Sequence, residues 1–447
     1  PSSHMVIFFQ YSLLLMIRRP PIVTQVVSSA ASAVYMRQNG LVLAADSALT
    51  MGNSEQMKIF NSGNKIFSLG PSHSIGIMMF GNVQFMGIPW EIIVTGFHQK
   101  IGSRPLDSVW DYCTEFFNYL ESVDEIYSSI YTEVLIIGYA ENVCNILENT
   151  TYIPSPGTFT LADYQKAVED KIPALLKESE KMKSITKKAP IKVFADRYGE
   201  KLDEVFKELF DTVFLGLNLY DKFKSDLYKL VRNYVYSDSY YPDTYSGLVI
   251  AGFGFDELFP SIYQYDISGV VDRVIKKRLT VRQIVLNDFA EDRCSSAIVP
   301  FAQQDMVHTV INGIAPDLEA DLGELLRATL EKLISELTEK KLLNESDAPE
   351  INKLKATLIE SGLNAFDNMK QERHLTPVLM TIDSMPKEEL ALIAETLVNI
   401  TSFKGKISFA METVGGPIDV LLITKGDGPV WVKRKNYFNP DINRLRW

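Results

Sequence analysis

The chain alternates between two hydrophobic patterns. Short, nearly continuous apolar runs punctuated by Gly, Asn, Asp and Pro predict strands, and longer runs with apolar residues three and four apart predict helices. Val23–Met36 and Leu41–Ala45 flank Asn39-Gly40, a strong hairpin turn pair, so they predict two antiparallel strands. "KIFSLG" (Lys65–Gly70) and "SIGIMMFG" (Ser74–Gly81) predict a second hairpin turning at Pro71-Ser72-His73. Helices are expected across Asn82–Ile101 and Pro105–Ser122, while Glu133–Leu147 fits a strand or a helix. Leu161–Tyr236 is an amphipathic helical block rich in Lys, Glu and aromatics. Strand pattern returns at Gly247 with "GLVIAGFGFDELFPSIYQYDISG". Asp317–Arg373 is a second helical, charge-rich block with "NESDAP" as its internal turn. Pro386–Phe403 predicts a further helix, with Ser384 as its N-cap and Pro386 in its first turn. The end, "ISFAMETVGGPIDVLLITKGDGPVWVKR", is strand-like again, turning at "KGDG".

This order shows no βαβ periodicity and no internal repeat. It favours an α+β fold, with helices layered on antiparallel sheets. The helical blocks, at about 125–245 and 317–373, read as insertions into one domain spanning 21–447. Residues 1–20 read as a tag remnant or N-terminal extension: Pro1-Ser2-Ser3-His4-Met5 resembles a cloning scar. Val6–Ile17 is apolar but short of the roughly 20 residues a spanning helix needs. Arg18-Arg19 follow that run instead of preceding it, which argues against a signal peptide.

Composition narrows the function classes. At 46% hydrophobic and 23% charged residues the 447-residue chain supports a globular core. A net charge of −11 argues against a dominant nucleic-acid face. Cys113, Cys144 and Cys294 are scattered, with no CxxC, and read as buried small hydrophobes in a reducing cytoplasm. The five histidines show no metal-ligand spacing, and there is no Walker loop, Rossmann glycine set, kinase signature or zinc signature. No metal, cofactor or membrane partner is therefore expected. The tyrosine-rich "NYVYSDSYYPDTYSG" (Asn233–Gly247) reads as half-buried packing or as the lining of a small-molecule pocket.

"NGLVLAADSALTMGN" followed by "NKIFSLGPSHSIGIMMFGN" resembles the opening of proteasome-type subunits of the N-terminal-nucleophile (Ntn) hydrolase superfamily. "GLVIAGFGFDELFPSIYQYDISG" is similar to that family's central hairpin, and "VGGPIDVLLITKGDG" to its closing strands. The stretches occur in the family's order and cover residues 30–100, 246–270 and 385–435. The resemblance implies a four-layer αββα sandwich, peptide substrates or protein partners, and homo-oligomeric assembly.

The chemistry implied is nucleophilic attack by a residue whose own α-amino group acts as base, tuned by a carboxylate and an ammonium. Asp46 matches the carboxylate, Lys65 the lysine, and Gly81 the glycine whose N–H helps stabilise an oxyanion. From the residues alone, Asp46 also reads as an Asx-turn residue and Lys65 as a surface lysine opening a strand. The family's nucleophile lies sixteen residues before the aspartate, which here is Ala30, and the cleavable glycine before it is Ser29. Gly415-Gly416 is preceded by "METV", with Glu412 and Thr413 only approximate substitutes for the family's Asp and Ser. Four explanations stand side by side. The chain is a pseudo-hydrolase that binds partners or assembles; Ser29 is the nucleophile; Ser28 or Ser32 is; or position 30 or 31 carries an inactivating substitution.

Overall fold

The computed structural model describes residues 26–28, 31–37, 40–52, 57–150, 161–212, 219–242, 244–284, 296–302, 305–340, 348–407 and 415–436. The fold is α+β. The strands are β1 (Val26–Ser28), β2 (Ala31–Arg37), β3 (Gly40–Ala45), β4 (Leu49–Gly52), β5 (Met57–Phe60), β6 (Ile66–Ser68) and β7 (Ile75–Asn82). The short pair β8 (Gln84–Phe85) and β9 (Ile88–Pro89) leads into helices α1 (Trp90–Ile101) and α2 (Val109–Glu121). A helical block follows: α3 (Ser129–Thr150), α4 (Leu161–Glu180), α5 (Ile191–Thr212) and α6 (Tyr220–Tyr236). Then come β10 (Ser246–Gly252), β11 (Ser261–Val271), β12 (Val274–Ile284) and β13 (Ala297–Ala302). The last third holds α7 (Asp305–Asn312), α8 (Pro316–Glu339), α9 (Ala348–Lys370), α10 (Thr376–Ser384), α11 (Lys387–Ile407), β14 (Asp419–Thr424) and β15 (Gly428–Lys433).

Two antiparallel sheets carry the core. The larger runs β12-β11-β10-β7-β1-β4-β5, with β6 also on β7, and the smaller runs β13-β2-β3-β14-β15. β3, β7, β10 and β14 are buried on both faces, which is why they read as continuous apolar runs and not as alternating ones. In β7, Ile75, Ile77 and Met79 face a cluster with Trp90, Phe97 and Phe116 of α1 and α2. Met78 and Phe80 of β7 face Leu41 and Leu43 of β3 and Leu421 of β14 instead, so the two sheets share that cluster. Val42 and Ala44 on the other face of β3 pack against Leu390, Ala394 and Val398 of α11. The α3–α6 block has a core of its own, which joins the larger sheet through Val271.

Local chemistry explains several boundaries. Ser108 and Asp111 form a reciprocal capping box that starts α2. The two predicted hairpins form, with Arg37 opposite Gly40 and Ser68 opposite Gly76. Glu133–Leu147 lies inside α3, apolar on more than one side because it is buried among α4, α5 and α6.

Three expectations are corrected. The single strand expected over Val23–Met36 is two strands in different sheets: β1 pairs with β4 and β7, whereas β2 pairs with β3 and β13. The helix expected from Asn82 starts only at Trp90, because Gln84–Pro89 is taken up by the β8–β9 pair. Ser384 does not cap α11; it ends α10, where its hydroxyl donates to the Thr381 carbonyl. Among the described residues, no helix is long and apolar enough to cross a membrane.

Candidate active site

Asp46 follows β3 directly, where the chain leaves the smaller sheet and turns toward β4. It is 1% exposed. One carboxylate oxygen accepts the Gly415 N–H at 2.9 Å and, at 3.3 Å, the Ala48 N–H two residues on. The Ala48 contact is the Asx turn that the sequence suggests. The other oxygen accepts from Lys65 Nζ at 2.6 Å. Lys65 sits just before β6 and is 2% exposed, and its carbonyl accepts the Met79 N–H at 2.8 Å. It is no surface lysine: the stem is threaded through the core and the ammonium ends on Asp46.

The loop around Asp46 is tied to the far end of the chain. Ser47 N–H donates to Gly415 O at 3.2 Å, and Ser47 Oγ to Pro417 O at 2.6 Å. Gly63 N–H donates to Ser47 O at 3.0 Å. A second buried pair adjoins this one. Asp419 of β14 stands opposite Ala45 and accepts both the backbone N–H and the ammonium of Lys435.

Burial dominates the electrostatics. It pushes the Asp46 carboxyl up, against the Lys65 ammonium and the two N–H donors, which favour the carboxylate. It pushes Lys65 down, against the attraction of Asp46; the Lys435 charge pushes Lys65 further down, and Asp419 opposes that. A buried pair of this kind costs desolvation that its attraction only partly offsets. Its presence at the end of a strand is not a stability device that packing alone would select.

Gly81 lies on β7 with φ +75°, opposite Ser28 of β1 on one side and Ser246 of β10 on the other. A Cβ there would come within 2.3 Å of the Tyr245 carbonyl, so only glycine fits. Ser29 and Ala30 lie outside the described residues. Their neighbours are placed on both sides of the site: Ser28 is opposite Gly81, and Ser32 is opposite Ala45, the residue before Asp46. Asp46 and Lys65 therefore meet directly, whereas Gly81 is related to them only through the chain, opposite Ser28 of β1, which precedes β2. A cavity of about 200 Å³ opens beside Lys65, lined also by Leu49, Met79, Asn82, Val83 and Trp90. A larger groove of about 710 Å³ lies between α8 and α9 and shares no residue with this region.

Three contributors were not anticipated. Gly415 appears in the sequence only as part of a glycine pair, yet its N–H holds Asp46. Asp419 lies in the closing "VGGPIDVLLITKGDG" stretch but has no role assigned to it there, and Lys435 sits in basic strand-like sequence with no motif of its own. Only the β3–β14 register reveals that they adjoin Lys65. Glu412, Thr413 and Cys294 lie outside the described residues. Among the described residues no group of three or more His, Cys, Asp or Glu side chains could hold a metal. The tyrosine-rich stretch is mostly packing: Tyr234 stacks on Tyr240 with centroids 3.7 Å apart, and Tyr236 donates to Asp272. No protein-family model and no curated protein matches the chain.

Proposed function

We propose that the chain is a proteasome-type Ntn-fold protein, an αββα sandwich that keeps the charged half of the site without a competent nucleophile, and that it serves as a structural, interaction or oligomer-forming protein. The observation that carries this reading is the buried Asp46–Lys65 pair, 2.6 Å apart, in a chain whose expected nucleophile position is Ala30. A methyl group there offers neither a hydroxyl nor a thiol to activate. The layering of α1 and α2, two sheets and α11 supports the sandwich. In this reading β1 stays in the larger sheet as a permanent strand and position 30 keeps a peptide nitrogen.

A second reading is a self-processing peptidase or amidohydrolase with Ser29 as nucleophile. The retained pair favours it, because buried charges cost desolvation and strongly perturbed pairs of this kind concentrate at functional sites. The intact mass of the untagged protein, expressed beside its sequenced gene, separates the two. A full-length chain with alanine encoded at 30, inert to electrophilic inhibitors, supports the first. Loss of the first 28–31 residues overturns it, and the new N-terminus names the nucleophile.

A further inference from the structure

We propose that the α8–α9 hairpin is a self-association surface, on which a second copy of this chain packs face to face to form a four-helix bundle. The inference rests on the assembly role proposed above and gives it a surface and a partner.

The hairpin is amphipathic in an unusual way. Its inner seam is sparse: Gly323 of α8 lies against Leu363 of α9, and Gly362 of α9 against Leu326 of α8. Lys355 pairs with Glu331 and Lys370 with Glu319, which fixes the two helices as antiparallel and sets their levels. At 100° per residue, Leu318, Leu322, Leu325 and Leu333 fall on one flank of α8, next to the seam. Leu354, Leu358 and Met369 fall on the corresponding flank of α9. In an antiparallel pair those two flanks lie on the same broad side of the hairpin. All seven side chains belong to residues 39–64% exposed. The opposite side carries Arg327, Glu331, Glu360 and Asp367 along the polar groove.

Area, size and charge together point to a second copy. The seven side chains expose about 700 Å² of mostly apolar surface, more than the patches typical of monomers and near the ~800 Å² a partner contributes to a stable interface. Sizes complement one another when the two-fold axis runs along the hairpin, so that α8 lies over α9 of the second copy. By the levels above, Leu322 then meets Ala365, Leu325 meets Gly362 and Leu358 meets Thr329, large against small, while Leu318 meets Met369 and Leu333 meets Leu354, apolar against apolar. Charge selects the same arrangement. α8 carries seven carboxylates against Arg327 and Lys332, whereas α9 balances three carboxylates with Lys353, Lys355 and Lys370. An axis across the hairpin would stack α8 on α8, two acidic helices, and is disfavoured.

Light scattering of the full chain at micromolar concentration tests the proposal, and a dimer is expected. The variant Leu325→Glu with Leu358→Glu should raise the dissociation constant at least about 100-fold while far-UV circular dichroism stays unchanged. Mixing a Leu322→Cys copy with an Ala365→Cys copy should give the mixed disulfide in preference to either self-linked product. A monomeric wild type, a dimer untouched by the double variant, or preferential Leu322→Cys self-linking would each overturn the proposal. These readouts do not depend on the intact mass: a processed chain that still dimerises would sink the pseudo-hydrolase reading alone, and a full-length monomer would sink the hairpin proposal alone.

Discussion

Replacing Lys65 by methionine leaves Asp46 buried with no counter-charge. At 2.6 Å and an effective dielectric of 20 the lost attraction is about 6 kcal/mol. Part of that returns because Asp46 can take up a proton and no longer pays for burying an ion. The expected net loss of stability is about 3–5 kcal/mol at neutral pH. The penalty has a sign in pH. Burial already pushes the Asp46 carboxyl above its unfolded value of 3.8, and removing Lys65 pushes it higher. Folded Lys65→Met then binds a proton that the unfolded chain releases, so its stability improves as pH falls toward 3.8. The double variant Asp46→Asn, Lys65→Met removes both charges and keeps an acceptor for the Gly415 and Ala48 N–H groups. It should return to within about 2 kcal/mol of the wild type, since a buried pair is commonly replaceable as a unit. Urea unfolding followed by tryptophan fluorescence, to which the buried Trp90 contributes, reports the core of the larger sheet; with the m-value above about 3 kcal/mol per M expected of a chain this long, Lys65→Met should lower the midpoint by roughly 0.5–1 M. A Lys65→Met loss under about 1 kcal/mol, or a double variant that loses the sum of the single losses, would refute a tightly coupled buried pair.

Three further outcomes are expected. Lys276 is buried, donates to the Tyr234 and Val235 carbonyls at the end of α6, and is pushed down to about 6 by burial. Between about pH 6 and 10 the unfolded chain holds a proton that the folded chain lacks, so stability should rise with pH, by at most about 1.4 kcal/mol per unit, and Lys276→Met should flatten that slope in urea titrations at several pH values. Gly81→Ala should cost at least about 1–2 kcal/mol in thermal unfolding, from positive φ and the Tyr245 carbonyl; an unchanged midpoint would mean the strand is not held as described. Burial pushes the Cys113 thiol up to about 12, so mass spectrometry should find it unmodified by a thiol reagent at pH 8 until the chain unfolds, and rapid native modification would contradict its burial.

Most elements were legible because their signals are local. Asn39-Gly40, Pro71-Ser72-His73 and "KGDG" are turn chemistry, and the hairpins around them follow. Asp46 and Lys65 were legible from the order of short motifs, and the structure brings them into contact. What stayed hidden depends on tertiary pairing. Val23–Met36 reads as one β-prone run because nothing in a strand's composition says which sheet it joins; β1 and β2 differ only in their partners. Ser384-Met385-Pro386 looks like a helix start, yet the same residues serve to end α10, because a serine hydroxyl can satisfy a carbonyl as readily as an N–H. Lys435 carries no pattern and Asp419 is one unremarked letter of "VGGPIDVLLITKGDG"; only the position of β14 beside β3 pairs them next to Asp46.

The bond from Ser47 to Pro417 spans 370 positions of sequence. β3, fully buried in the finished protein, finds its neighbour β14 only when the last strands are made. At 5–20 residues per second a ribosome takes roughly 20–75 s to cover that distance. Through that interval "GLVLAA" is an emerged apolar segment with one edge unclaimed, open to chaperones and to mispairing with other nascent chains. The late strand therefore times assembly as well as completing a sheet: a nascent chain truncated before residue 419 should remain chaperone-bound, however complete its helical block.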